Sequence, residues 1–416
     1  MNFDEKGWFG KYLDKRKKSY VKKEDSISPH PDFSLYNLLQ PTGILYGNPV
    51  MPENLDKDSF KKFDKRTRLK VLLAESLINS FLLAKQESIA TNEDFARQID
   101  LSVSHVIDFF NKLYPDIAVS NRSILGKARP ILEVAEKIIE KRIDLKQSNQ
   151  DNFWIGFFST TLLFLDIYFF GQWIHTSSDK LVTDYFKEEK EELRLSVIKV
   201  IVAAAHANHI VEVEERRLFE YILNTADLSK NRIREAWALL ENGLMVEEIA
   251  LPENNSWLLR KYFLEIAILT VSADRIVDQK EQEFLENFTK HLGFFIEDLD
   301  DSMIALEGFI IENWSELDEL QNRKNFNQLS EEYENRLAIL LGKHTKKLNS
   351  KLMQNEPVKR LIRKYNEGTI SPEENDRLHE QLISLLQKLP AFSSFKLPGS
   401  YLSTEHLMKM LPALPE

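Results

Sequence analysis

From Phe153 to Ile174 the chain runs through twenty-two residues with a single charge, Asp166. A helix that is apolar on every side has no face to offer water, so it belongs in the centre of a large helical body or in a bilayer. Trp154 and Trp173 stand nineteen residues apart. At a rise of about 1.5 Å per residue that separation approaches a hydrocarbon thickness of about 30 Å, with Trp at each boundary. Asp166, near the middle, opposes a span because a carboxylate in hydrocarbon is costly. Two readings stand: a packed central helix, or a span in which Trp154 and Trp173 are anchors and Asp166 is a functional intramembrane carboxylate. In the second, Lys127, Arg129, Lys137, Lys141, Arg142 and Lys146 hold the preceding side in the cytoplasm.

A helix of this kind needs helical surroundings, and the rest of the chain supplies them. With 13 Gly and 14 Pro in 416 residues there is little turn material for a sheet-rich fold, so the class is all-α, a multi-helix bundle of two or three domains. The absence of Cys excludes disulfides, thiolate metal sites and cysteine nucleophiles. No Walker loop, dinucleotide glycine fingerprint, Gly-x-Ser-x-Gly elbow or His-Glu-x-x-His helix occurs, and the chain reads as a binding protein with no catalytic residues.

The net charge of -10 is unevenly placed. Residues 1–24 hold eight Lys/Arg against four Asp/Glu, and residues 281–320 hold twelve Asp/Glu against one Lys. In the basic end Trp8, Phe9, Tyr12 and Leu13 stand beside Lys15, Arg16, Lys17, Lys18, Lys22 and Lys23. That composition suits either an anionic membrane surface or a solvated helix with docked aromatics. No apolar h-region follows, so the expected location is cytoplasmic or peripheral to the inner membrane, with an integral protein as the alternative if 153–174 spans. The acidic stretch repels nucleic acid and suits a cation or a basic partner. Its Leu285, Phe288, Leu292, Met303, Leu306, Phe309 and Ile310 recur at helical spacing, as core residues do.

Residues 25–60, rich in Pro, Ser, Asn and Asp, read as an irregular arm. Thr91-Asn92-Glu93-Asp94 predicts a helix start. The run Phe95 to Ser102 resembles the first half of a helix-turn-helix, with Val106 and Phe109 on the next helix. Ser102, Ser104, His105 and Asp108 give that second helix no basic residue before Lys112, so DNA binding is not expected.

A repeat with an offset of 66 residues is the clearest internal feature. Ala207-Asn208-His209-Ile210-Val211-Glu212, then Glu215, Leu218 and Phe219, is matched by Ala273-Asp274-Arg275-Ile276-Val277-Asp278, then Glu281, Phe284 and Leu285. Apolar helices, Leu195 to Ala205 and Tyr262 to Val271, precede the two copies, and Ile233 and Leu299 follow at equivalent places. Each copy reads as a helix, a short acidic turn and a second helix capped by Asp or Glu. This pattern resembles the TerB family of bacterial tellurite-resistance proteins over about residues 190 to 300. The resemblance implies a two-half helical bundle and a divalent cation bound by turn carboxylates. By position these are Asp274, Asp278 and Glu281 in one copy and Asn208, Glu212 and Glu215 in the other. His209 and Arg275 stand where the family usually has Gly, and Arg275 opposes a bound cation. The alternative is that the carboxylates only cap helix ends. His206, His209, Glu212 and Glu215 also form a spacing that suits zinc, which the second copy does not reproduce.

At the C-terminus a basic region holding Lys346, Lys347, Lys351, Lys359, Arg360, Arg363 and Lys364 leads to Gly368-Thr369-Ile370-Ser371-Pro372-Glu373-Glu374, a helix start. A helical hairpin is expected there. Leu389-Pro390-Ala391-Phe392, Leu397-Pro398-Gly399 and Met410-Leu411-Pro412 follow. By composition they form a Pro-punctuated strap over a bundle. This succession is similar to the end of the conserved region of the LETM family, and implies a membrane-linked role in cation or proton homeostasis, or contact with ribosomes. Over the whole chain, including Gly7-Trp8 and Thr42-Gly43-Ile44-Leu45-Tyr46-Gly47, the sequence resembles bacterial LETM-related biofilm-associated proteins. The implied organisation is a basic arm (1–65), a helical domain (66–150), the central apolar helix (151–180), a TerB-like module (181–320) and a LETM-like helical region (321–416). The implied role is that of a non-enzymatic adaptor or stress protein on the cytoplasmic side of the envelope. The alternatives are a membrane-embedded ion-handling protein or a ribosome-contacting one.

Overall fold

The computed structural model describes residues 2–20, 31–46, 49–50, 63–120, 127–144, 153–176, 180–207, 216, 219–220, 223, 226, 228–249, 256–271, 279–317, 325–392 and 394–411, without the side chains of 153–159, 316 and 390. Among them are sixteen α-helices and no β-strand, so the protein is all-α. The chain forms two compact units, Met1–Ile266 and Ala267–Glu416. The division falls within the helix Trp257–Val271, inside the span that the sequence presents as one module.

The first unit contains α1 (Trp8–Lys17), α2 (Pro31–Leu39), α3 (Lys65–Ala84), α4 (Asn92–Leu113), α5 (Ile131–Asp144), α6 (Phe153–Trp173), α7 (Lys180–Ala205), α8 (Lys230–Asn242) and the start of α9 (Trp257–Val271). The apolar helix α6 lies at its centre, packed on α3, α4 and α7. Every residue from Thr160 to Phe170 is buried, as are Trp173 and Ile174. Such burial on all sides contributes about 1.5–3 kcal/mol for each large apolar side chain. This burial is what the packed reading expects, and no helix among the described residues is long and apolar enough to cross a membrane.

The basic arm contains helices rather than irregular chain at 8–17 and 31–39. In α1 the residues Trp8, Phe9, Tyr12 and Leu13 are spaced for one face, and all four are buried. Gly7, at φ 84°, starts the helix with no side chain of its own to cap it. Glu136 of α5 does so instead, accepting from the N–H of Gly7 (2.7 Å) and of Phe9 (3.0 Å). A carboxylate here meets both the free N–H groups and the positive end of the helix dipole. The aromatic face that suits a membrane surface is therefore part of the core.

The helix predicted at Thr91 begins there, with a reciprocal cap between Thr91 and Asp94. It does not turn at residue 102. No Gly or Pro interrupts the sequence, and Phe95, Ile99, Val103, Val106 and Phe110 keep helical spacing in the core, so α4 is one helix of 22 residues. The helix-turn-helix resemblance fails on that continuity.

The second unit contains the end of α9, then α10 (Gln279–His291), α11 (Ile296–Glu312), α12 (Phe326–Lys343), α13 (Thr345–Gln354), α14 (Glu356–Asn366), α15 (Pro372–Gln387) and α16 (Thr404–Met410). The seven apolar residues expected as core along the acidic stretch are all buried. α14 and α15 pack together. They are joined through Gly368 at φ 67° and tied by an ion pair between Lys364 and Glu374 (2.5 Å). Ser371 and Glu374 cap α15 reciprocally, with Pro372 in its first turn.

The tail then straps over this unit, with Leu389, Phe392, Phe395, Leu397 and Leu402 buried. Its Pro398 lies where α11 has Gly308, at which a Cβ would come 3.3 Å from both Pro398 and Tyr333. Glu312 accepts from the N–H of Ser400 (3.1 Å) and Tyr401 (3.2 Å), and Glu334 accepts from the Tyr401 hydroxyl (2.5 Å). Desolvation and the Glu334 carboxylate push that phenol up to about 12. Glu312→Ala removes an anionic acceptor serving two N–H groups and should weaken the strap by about 1–3 kcal/mol. The expected readout is faster amide exchange over 397–411 with the first unit unchanged; unaltered protection there means the cap does not hold the strap.

Candidate functional site

Of the six acidic-turn positions, Asn208, Glu212, Glu215, Asp274 and Asp278 lie outside the described residues. Glu281 is described. It sits in the first turn of α10 and is 6% exposed, turned to the interior. Among the described residues no three His, Asp or Glu side chains come together as a metal site would need. His206, one member of the zinc-like spacing, is bound elsewhere: its Nε2 lies 2.8 Å from the Leu240 carbonyl of α8, and its ring packs beside Gly243.

The membrane-suited trio separates. Trp154 is in the first turn of α6 and its side chain is outside the described set. Trp173 is in the core, edge-on to Phe109 and Phe186. Asp166 is 0% exposed and is the centre of a polar cluster inside the first unit. Arg142 of α5 donates from Nε to Oδ2 (2.5 Å) and from Nη2 to Oδ1 (3.0 Å), and Tyr114, just past α4, donates its hydroxyl to Oδ1. The Arg142 guanidinium lies over the Tyr114 ring at 4.8 Å, and Lys190 of α7 lies over it at 4.2 Å while donating to the Leu113 carbonyl. Burial and the Asp166 charge push the Tyr114 phenol far above its ordinary range, so it is a permanent donor. Both carboxylate oxygens thus receive charge-assisted or phenolic donors, a geometry that stabilises a buried anion. The cluster ties α4, α5, α6 and α7 together.

A second buried carboxylate escaped the sequence reading. Glu265 of α9 accepts from the Tyr36 hydroxyl of α2 and from the Tyr46 hydroxyl (3.0 Å). Lys261, one helical turn earlier, is also buried and lies 5.9 Å from the Tyr36 ring centroid. Desolvation raises the Glu265 carboxyl above its ordinary value, and Lys261 and the two phenols only partly offset this. The Thr42–Tyr46 stretch, singled out by resemblance, is therefore the segment that carries Tyr46 into the core, turning through Gly43 at φ 69°. Nothing in the sequence of α9, whose charged residues are Arg260, Lys261 and Glu265, marks that carboxylate as buried.

A third such group is Glu75 of α3. Arg16 of α1 places Nε 3.2 Å from it, and Asn79 donates at 3.2 Å. Burial pushes the Glu75 carboxyl up to about 7 and lowers the Arg16 guanidinium from its ordinary value. Glu75 and Glu265 are thus buried carboxyls raised by desolvation, while Asp166 is held between fixed donors.

No protein-family model, curated protein or solved structure matches the chain.

Proposed function

We propose that the chain is a non-enzymatic helical adaptor or stress protein on the cytoplasmic face of a bacterial envelope, with a TerB-like two-copy module and a LETM-like C-terminal region. The observation that carries the reading is the register of the repeat. α8 begins at Lys230 and α11 at Ile296, 66 residues apart since 296 − 230 = 66. Buried positions keep the same offset: Phe219 with Leu285, Leu223 with Thr289, Ala236 with Ser302 and Leu240 with Leu306. Two stretches that begin a helix and bury residues at one offset support a duplicated helical unit.

The acidic turns of that unit are its ligand-facing part, engaging a divalent cation or a basic partner. Phe295, 77% exposed, and Ile296 stand beside Glu297 and Asp298 at the start of α11, which supports a partner that is both basic and apolar. The LETM-like tail supports placement at the envelope.

Two measurements test this. In fractionation of the native host, the chain is expected in the membrane pellet and released by high salt; recovery entirely in the supernatant sinks the envelope assignment. Calorimetry of the full chain with calcium, magnesium, manganese and zinc is expected to give heat and a raised melting temperature for one of them, abolished in Asp274→Asn/Asp278→Asn. Silence with all four ions removes the cation and leaves the basic partner.

A further inference from the structure

In a chain of net charge -10, residues 343–364 hold eight Lys/Arg and one acidic residue, Glu356. They occupy the end of α12, α13 and α14, consecutive helices that pack on one another. Lys359 pairs with Glu356, Lys364 with Glu374, and Lys351 donates to the Lys388 carbonyl. Lys343, Lys346, Lys347, Arg360 and Arg363 are exposed, and among the described residues none has a carboxylate within ion-pair distance. Their spacing gives one side to each helix: Lys346 and Met353 lie seven apart on α13, Arg360 and Arg363 three apart on α14, and Ile339 and Lys343 four apart on α12. Ile339 is 63% and Met353 40% exposed.

We infer that these exposed basic and apolar side chains of α12, α13 and α14 together form the surface by which the protein lies on an anionic phospholipid bilayer. Lysine and arginine meet the headgroup phosphates, and Ile339 and Met353 enter the headgroup boundary. The exposed apolar residues beside the lysines favour lipid over nucleic acid, and none of the aromatic residues of α12 to α14 is exposed to stack on a base. The inference rests on the envelope reading and names its contact. The contact is different from the basic N-terminus, whose aromatics are in the core.

Vesicle flotation of the full chain tests it, with phosphatidylcholine alone and with added phosphatidylglycerol. Binding is expected only with phosphatidylglycerol and is reversed by high salt. Each basic side chain contributes roughly fivefold in partition. Lys346→Glu/Lys347→Glu/Arg360→Glu/Arg363→Glu should therefore lower binding by at least about a hundredfold, with an unchanged circular dichroism spectrum and melting temperature. Lys15→Glu/Lys18→Glu, exposed in the last turn of α1 and just past it, should bind as the unaltered chain does. The inference is overturned by absent binding to phosphatidylglycerol, by a quadruple variant that still binds, or by an RNA oligonucleotide that displaces the vesicles at low concentration. Salt-releasable membrane recovery in the host without vesicle binding would overturn this face while leaving the envelope reading in place through a protein partner.

Discussion

Asp166→Leu should destabilise the first unit by about 3–5 kcal/mol, because it strands the Arg142 guanidinium in an interior with no anion to meet it. Arg142 is itself buried, and its Nε and Nη2 are both committed to Asp166. The phenol of Tyr114 loses its acceptor in the same substitution. Adding Arg142→Met should recover most of the loss, since replacing a whole buried pair by apolar groups of similar volume is often close to neutral. Urea unfolding followed by tryptophan fluorescence reads both, with Trp173 in the same core. A carboxylate placed for ion movement would behave differently: Asp166→Leu would leave folding intact, and the double variant would be no better than the single one. Unchanged stability in the single variant would support the functional carboxylate.

The cluster around Asp166 also shows why the sequence disclosed the helix but not its environment. A run of apolar residues is a local signal, and the residues of α6 from Thr160 to Phe170 are all buried. The partners that make an interior aspartate tolerable are not local: Tyr114 is 52 residues away and Arg142 is 24. Arg142, moreover, looked like a cytoplasmic flank for a span. Membrane span and protein core share one requirement, an apolar surround, and only the position of the compensating cation tells them apart.

The N-terminal arm left two readings open for a related reason. Trp8, Phe9, Tyr12 and Leu13 form an amphipathic face whether they meet lipid or protein, and the deciding feature is Glu136 on a distant helix, capping Gly7 and Phe9. Caps written in adjacent residues were legible, as at Thr91 with Asp94 and Ser371 with Glu374. Glu265 and Glu75 were not: nothing near them in sequence distinguishes a buried carboxylate with phenol or guanidinium partners from a solvated one.

Glu75 gives the clearest pH signature expected of the fold. Its carboxyl, raised to about 7 by burial, binds its proton more tightly in the folded chain than in the unfolded one. Stability from this group is therefore greatest at acid pH, falls as pH rises from about 4.5 to about 7, and is flat above, because the folded state holds more protons over that interval. Glu265, raised in the same direction by desolvation, adds to the slope. One pH unit of difference corresponds to about 1.4 kcal/mol, so Glu75 contributes a change on the order of 3 kcal/mol across the interval. Glu75→Gln removes the titration while keeping an oxygen toward Arg16 and Asn79. The stability of the variant relative to the unaltered chain should consequently improve by about 2–3 kcal/mol between pH 4.5 and pH 8. Thermal melts across that range measure it. Parallel curves for the two proteins would mean that Arg16, 3.2 Å away, keeps Glu75 ionised throughout, and that the contact between α1 and α3 is an ion pair at every pH.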